Sequence, residues 1–235
     1  MSNLYLIINI LVLIGPLSLS FDKKVAFYKY WKALGLSILI MMGVYIPWDI
    51  IFTANNIWGF NDQYLTGITI VNLPLEEVLF FITVPYACTF IYACLRAYFK
   101  LNIPKISVEL IKWTYATALL TIICTQLGQQ YSFYTSLCTL ITLIFFHFKI
   151  KDTLFWSYFL LSYAVSLIPF ILVNGILTGT GIENQIVWYN SNDIFNIRIL
   201  TIPIEDSIYN FGMLLLTIGS YYCIKKEKIT FETNK

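Results

Sequence analysis

Long apolar stretches alternate with short polar ones along the whole of this chain. Seven approach the roughly 20 mostly apolar residues that a membrane crossing needs: about 4–20, 33–53, 76–98, 113–128, 132–148, 153–174 and 204–223. The pattern predicts an all-α integral membrane protein of about seven transmembrane helices. The fourth and fifth stretches are separated only by the very short loop Gly128-Gln129-Gln130-Tyr131. The first lacks a basic region before it and reads as a first span rather than a cleaved signal.

Charge orients this pattern. Lys23, Lys24, Lys29 and Lys32 fall in the first loop, and Arg96, Lys100, Lys105 and Lys112 around the third. Lys149 and Lys151 fall in the fifth, and Lys225, Lys226, Lys228 and Lys235 in the tail. These alternate loops share one side, and Arg198 alone lies on the other. Fourteen of the fifteen basic residues on one side is a strong positive-inside bias. It predicts an N-terminus outside and a C-terminus in the cytoplasm, most simply of a bacterial cell membrane.

Composition narrows the class. Only 12% of the 235 residues are charged, about half the share in a soluble domain. No charged tail or Pro/Gly/Ser-rich linker marks off a soluble domain. Cys88, Cys94, Cys124, Cys138 and Cys223 lie scattered in apolar stretches with no paired spacing, as small hydrophobes do. One histidine, His147, and no cysteine cluster argue against a zinc or haem site. The expectation is no metal, no cofactor and no nucleic-acid partner.

A short phrase occurs twice. Pro74-Leu75-Glu76-Glu77 precedes the apolar run from Val78 to Val84, and Pro203-Ile204-Glu205-Asp206 precedes the run from Ser207 to Thr217. The two copies are 129 residues apart, while Ile46-Pro47-Trp48 and Ile168-Pro169-Phe170 are 122 apart. Helices one to three then correspond to five to seven in the same orientation, with the fourth as connector. This is a parallel tandem repeat, an arrangement that places the site between its halves. The expected parts are a first half at 1–112, a connecting helix at 113–131 and a second half at 132–235. Both acidic phrases lie on the outer side.

Two readings of the phrases stand side by side. Proline at a helix start presets φ and lacks the donor that would go unsatisfied, and acids there complement the helix dipole. That reading does not explain why both copies keep the order Pro-x-Glu-acid followed by aromatics, Phe80 and Phe81 in one and Tyr209 and Phe211 in the other. The other reading is acid–base chemistry in an apolar cavity. Adjacent buried carboxyls cannot both ionise cheaply, so one acts as general acid while its neighbour stabilises a cation or removes a proton. Aromatic faces stabilise a carbocation, and excluded water keeps it from capture as an alcohol. Asp49, within span two beside Trp48, is a functional candidate or an interfacial acid reaching to water. Trp58 fits an interfacial belt. Arg198 is an ordinary loop arginine or a partner that keeps a carboxylate ionised. The whole set suits isomerisation of a hydrophobic polyene.

The runs Ile46-Pro47-Trp48-Asp49, Trp58-Gly59-Phe60-Asn61, Gly67 and Leu73 to Phe81 resemble the first half of the carotenoid lycopene β-cyclases of the heterodimeric or fused membrane type. Val173-Asn174-Gly175 with Leu177-Thr178-Gly179, then Arg198, then Ile202 to Asp206, resemble the second half. The resemblance covers nearly all of the chain and implies two cyclase domains fused in one. It implies cyclisation of the ψ-ends of lycopene to β-ionone rings, giving β- or γ-carotene, by an isomerase (an intramolecular lyase). Lycopene or a related acyclic carotenoid is then the substrate and the bilayer the solvent, with other carotenoid-pathway enzymes as plausible partners. Glu76, Glu77, Glu205 and Asp206 form the implied acid–base set, supported by Asp49. Trp48, Trp58, Asn61, Phe80, Phe81, Asn174, Arg198 and Tyr209 form the substrate-facing set. The second phrase departs from the first in ending in Asp, one methylene shorter, so the halves need not be equivalent. No GxGxxG fingerprint is present, so a flavin held that way is not expected.

Three rivals remain. An intramembrane prenyltransferase needs Asp-rich magnesium motifs and basic residues for diphosphate, and here the motif side has Arg198 alone. A proton-coupled transporter fits the repeats and intramembrane acids. A retinal-binding receptor needs a Schiff-base lysine in its seventh span, which this one lacks.

Overall fold

The computed structural model describes residues 3–233, with side chains as far as Lys225. Of the basic tail, Lys235 and the side chains of Lys226 and Lys228 lie outside the described residues. Seven α-helices account for most of the chain: α1 (Leu4–Leu19), α2 (Trp31–Ala54), α3 (Leu75–Tyr98), α4 (Lys105–Thr125), α5 (Gln130–Lys149), α6 (Thr153–Leu177) and α7 (Ile204–Thr233). Among the described residues, six of these are long and apolar enough to cross a membrane. The exception is α1: its 16 residues rise only about 24 Å at 1.5 Å each, short of the roughly 30 Å hydrocarbon core. The expected seven full-length spans are therefore six, plus one shorter apolar helix. Helix α4 starts at Lys105, ahead of the apolar stretch at 113–128, and runs through Lys112. Its ammonium is held 2.8 Å from Glu109 and 4.4 Å from the Trp156 ring centre, so the charge is paired within the bundle.

Two of the helix ends show how local chemistry sets the loops. At the end of α2, Asn56 adopts φ 55°, and Ile57 N–H reaches back to the Phe52 carbonyl at 3.0 Å. At the end of α6, Gly179 adopts φ 113°, and Thr180 N–H reaches the Gly175 carbonyl at 2.7 Å. Both are left-handed terminations that satisfy orphan carbonyls. The following loops pair with each other: β1 (Trp58–Phe60) and β4 (Val187–Tyr189) form an antiparallel ribbon with Trp58 opposite Tyr189. Each loop then makes a tight hairpin before its helix. The first joins β2 (Thr69–Ile70) to β3 (Leu73–Pro74), and the second joins β5 (Arg198–Ile199) to β6 (Ile202–Pro203). Val71 at φ 62° and Leu200 at φ 57° make the corresponding turns.

Helices α3 and α7 pack on one another, with α1 against α3 and α5 against α7. The packing of the others crosses over: α2 lies mainly on α7, and α6 mainly on α3. The core between them is strongly aromatic, including Tyr45, Phe81, Phe155, Phe159 and Phe211. Without a hydrophobic drive between helices in lipid, close approach at small residues carries much of such packing. Gly219 of α7 lies under the Phe146 ring of α5, where a Cβ would fall 2.6 Å from a ring carbon. Gly219→Ala is therefore expected to cost about 1–3 kcal/mol through overpacking and to lower the melting temperature in detergent. Gly43→Ala, where a Cβ meets nothing within 4 Å, is expected to leave it unchanged.

Candidate active site

Adjacent residues on a helix point about 100° apart, so the two acids of each phrase cannot face the same way. The first acid of each turns towards the loop that precedes it. Glu76 is fully buried, and its Oε1 accepts the Thr66 N–H at 2.7 Å. Glu205 is also fully buried; its Oε1 accepts the Phe195 N–H at 2.5 Å and the Ser132 hydroxyl at 2.6 Å. In both cases the amide lies ten residues upstream, so each carboxylate ties its hairpin loop onto the helix start.

The second acid of each phrase turns the other way, into one shared cavity. Glu77 and Asp206 both line a void of about 60 Å³ between α1, α3, α5, α6 and α7, roofed by β1 and β4. Glu77 accepts the Tyr5 hydroxyl at 2.6 Å. Asp206 accepts three donors: Tyr131 Oη at 2.7 Å, Asn174 Nδ2 at 2.8 Å and Tyr189 Oη at 2.9 Å. Burial, then the charge of Asp206 and its hydrogen bond, hold the Tyr189 phenol well above its ordinary pKa, so it stays a donor. Aromatic rings form most of the remaining wall, with Trp58, Phe60, Phe80, Phe170 and Tyr209 beside the three tyrosines. Trp58 meets Tyr131 edge-on at 5.0 Å between centres, and Tyr131 stacks on Tyr189 at 5.6 Å.

Asp49 is buried at 1% exposure and does not line this void. It accepts the Trp58 indole N–H at 2.6 Å, which fixes the tryptophan that does. Trp48 packs behind Tyr209 at 5.1 Å, one layer from the cavity. Phe81 faces the core against Tyr45, while its neighbour Phe80 reaches the cavity. Asn61 is away from it, accepting the Gln63 N–H and donating to the Gln185 carbonyl. Arg198 is exposed on its hairpin and donates to the Thr201 carbonyl at 2.6 Å. Among the described residues the ion pairs join Glu109 to Lys112 and His147, so Arg198 meets no carboxylate. Of the residues singled out by sequence, Glu77, Asp206, Trp58, Phe80, Asn174 and Tyr209 are brought together here. Sequence reasoning missed Tyr5, Tyr131, Tyr189, Phe170 and Asn210. A signal existed for Tyr5, since a phenol in an apolar stretch needs a partner.

Glu77 and Asp206 thus meet in an aromatic-walled cavity of a helical bundle in which, among the described residues, six helices are long and apolar enough to cross a membrane. The sequence profile of the lycopene cyclase family matches residues 2–95 and 131–224, and the chain belongs to that family, whose members act in carotenoid cyclisation. Three fungal proteins named bifunctional lycopene cyclase/phytoene synthase are similar over short segments. The one from Phaeosphaeria nodorum is 42% identical over 50 residues, which is 21% of this chain and 8% of that protein. The one from Leptosphaeria maculans is 40% identical over 50 residues, covering 21% and 9%. The one from Aspergillus oryzae is 30% identical over 71 residues, covering 30% and 12%. The matched part is thus at most 12% of these relatives' length. No solved structure matches the chain.

The loop ties make a direct prediction. Glu76→Ala and Glu205→Ala each leave a half-buried amide without its carboxyl acceptor, at a cost of about 1 kcal/mol. Hydrogen exchange at Thr66 is expected to speed up in the first variant and at Phe195 in the second. Exchange at the helix-core amides of α4 is expected to stay as it is.

Proposed function

We propose that this protein cyclises the ψ-ends of lycopene, or of a related acyclic carotenoid, to β-ionone rings by acid–base catalysis without net redox change. The observation that carries the reading is the convergence of Glu77 and Asp206 in one aromatic-walled cavity inside an apolar bundle. A proton added to the terminal alkene gives a tertiary carbocation. The next double bond attacks it and closes the ring, and loss of a proton from the ring restores neutrality. One proton enters and one leaves, so substrate and product are isomers.

The hydrogen bonds suggest how the roles divide. An ionised carboxylate only accepts, and the three donors on Asp206 suit an anion that holds the cation and takes the departing proton. Glu77 meets a single phenol and is the proton donor in this scheme. Rings of Trp58, Tyr131, Tyr189 and Tyr209 present π faces and edges around the cavity, and faces stabilise a cation. Apolar and aromatic side chains form most of the cavity wall, which limits the water that a carbocation formed there would meet.

The same reading places a first half at 1–112 and a second at 132–235, joined through α4. The support is that α3 and α7 begin 129 residues apart and α2 and α6 begin 122 apart, and that the family profile matches twice. The charge bias supports an N-terminus outside and a C-terminus in the cytoplasm, with the shorter α1 counted as a seventh crossing. The hairpins and cavity then lie towards the outer face of a cell membrane.

Expression in a lycopene-accumulating bacterial host, followed by pigment analysis, tests the function. The wild-type chain is expected to yield monocyclic or bicyclic carotene. General acid–base groups contribute about 10²–10⁴-fold, so Glu77→Gln and Asp206→Asn are each expected to reduce conversion at least a hundredfold with the protein still in the membrane. Unchanged lycopene with a folded wild-type chain would exclude this substrate.

A further inference from the structure

The cavity that holds Glu77 and Asp206 is too small for a ring-forming chain end, but a larger void adjoins it. A groove of about 500 Å³ runs between α1 and α6 with one face of α3 beneath it. Phe80, Val84, Ala87, Cys88 and Ile91 of α3 line it at spacings of four, three, one and three, which is one helical face. The α1 wall contributes Ile8, Leu11, Val12 and Pro16 with the same kind of spacing. Among the described residues no charged side chain lines the groove. At its rims Leu11 is 64% exposed and Leu172 of α6 is 66% exposed, so it opens sideways, towards lipid.

The two voids share four residues. Phe80, Phe170, Asn174 and Asn210 line both. They form a neck between the apolar groove and the acids. Asn174 already donates to Asp206. Asn210 is 4% exposed, and its Nδ2 has no partner among the described residues. From Phe80 to Ile91 the groove extends roughly 16 Å along α3 at 1.5 Å per residue, about half of the hydrocarbon core. An extended acyclic carotenoid is comparable in length with the whole core, so the groove takes one arm of it.

We infer that the α1–α3–α6 groove is the binding site for one arm of the polyene substrate, entered sideways from the bilayer. The end of that arm passes the Phe80–Phe170 neck to reach Glu77 and Asp206, and the other arm stays in lipid. This rests on the reading of the protein as a carotenoid cyclase. The neck rings must turn aside to admit the chain end, because the inner void alone is smaller than a six-membered ring with its methyl groups. Apolar burial along the groove supplies the affinity, and the acids supply none of it.

The test uses the full chain in lipid nanodiscs with lycopene as probe, and reads binding separately from chemistry. In a version whose other four cysteines are alanine, lycopene is expected to slow the labelling of Cys88 by an apolar thiol reagent at least tenfold. Ala87→Phe and Val173→Phe, which fill the groove without touching the acids, are expected to raise KM at least tenfold and change kcat less than threefold. Ile144→Phe, on the exposed face of α5, is expected to change neither. Ring formation with Cys88 unprotected and KM unchanged in both groove variants would overturn the groove and leave the cyclase standing. Protection of Cys88 without ring formation would support a polyene groove and overturn the cyclase reading. Absence of both would overturn both.

Discussion

The arrangement depends on the fate of carboxylates in an apolar bundle. A buried carboxylate must be met by donors, or its desolvation is not offset. Here the donors come from outside the helix that carries the acid. Thr66 and Phe195 give backbone amides from the hairpin loops, Tyr5 and Tyr131 give phenols from α1 and α5, and Tyr189 gives one from the ribbon. The four acids at the starts of α3 and α7 therefore gather loops, ribbon and neighbouring helices around themselves. The hairpin geometry follows from the same need, since Thr66 reaches Glu76 only if the chain reverses at Val71 and Asn72.

That explains why adjacent acids differ. One step along the helix separates a carboxylate that fastens a loop from one that faces a cavity, and the separation is identical in the two phrases because it is set by helix geometry. The acids that fasten are tied to backbone, whereas Glu77 meets side-chain hydroxyl alone and Asp206 meets side chains from three elements. Backbone ties are rigid and side-chain donors can rotate, so the partners of Glu77 and Asp206 are the ones free to rearrange, as the proposed acid–base chemistry would require. Asp49 extends the same logic by one layer. It fixes the Trp58 indole and so orients a cavity ring without reaching the cavity itself.

Much of this was legible in the sequence. Helix positions followed from apolar runs, because hydrophobic length is the dominant constraint in a bilayer. The helix α4 reaches eight residues further towards the N-terminus than the apolar stretch at 113–128, because Lys112 interrupts the apolar run in sequence but is buried beside Glu109 and Trp156. The acidic phrases stood out, yet their division did not, although the 100° step was available from local geometry alone. Phe80 and Phe81 divide in the same way, one to the cavity and one to the core. The ribbon of Trp58 with Tyr189 was beyond reach. Those residues are 131 positions apart, and three-residue strands carry too little alternation to announce a partner.

The crossed packing decides where a cavity can exist. If each set of three helices packed only on itself, each acid pair would sit in its own core, and closing either core would bury it completely. Because α2 lies on α7 and α6 lies on α3, elements from both parts of the chain surround the same point, and Glu77 and Asp206 meet there. The short helix α1 matters for the opposite reason. It supplies Tyr5 to Glu77 at one end, while further along it walls the α1–α6 groove with α3 as its floor. For the proposed cyclisation, a bundle that closed on every side would protect a carbocation but exclude a long polyene. In that proposal the groove on the α1 side, which meets the acid-lined cavity at Phe80 and Phe170, would admit the chain and leave the acids inside.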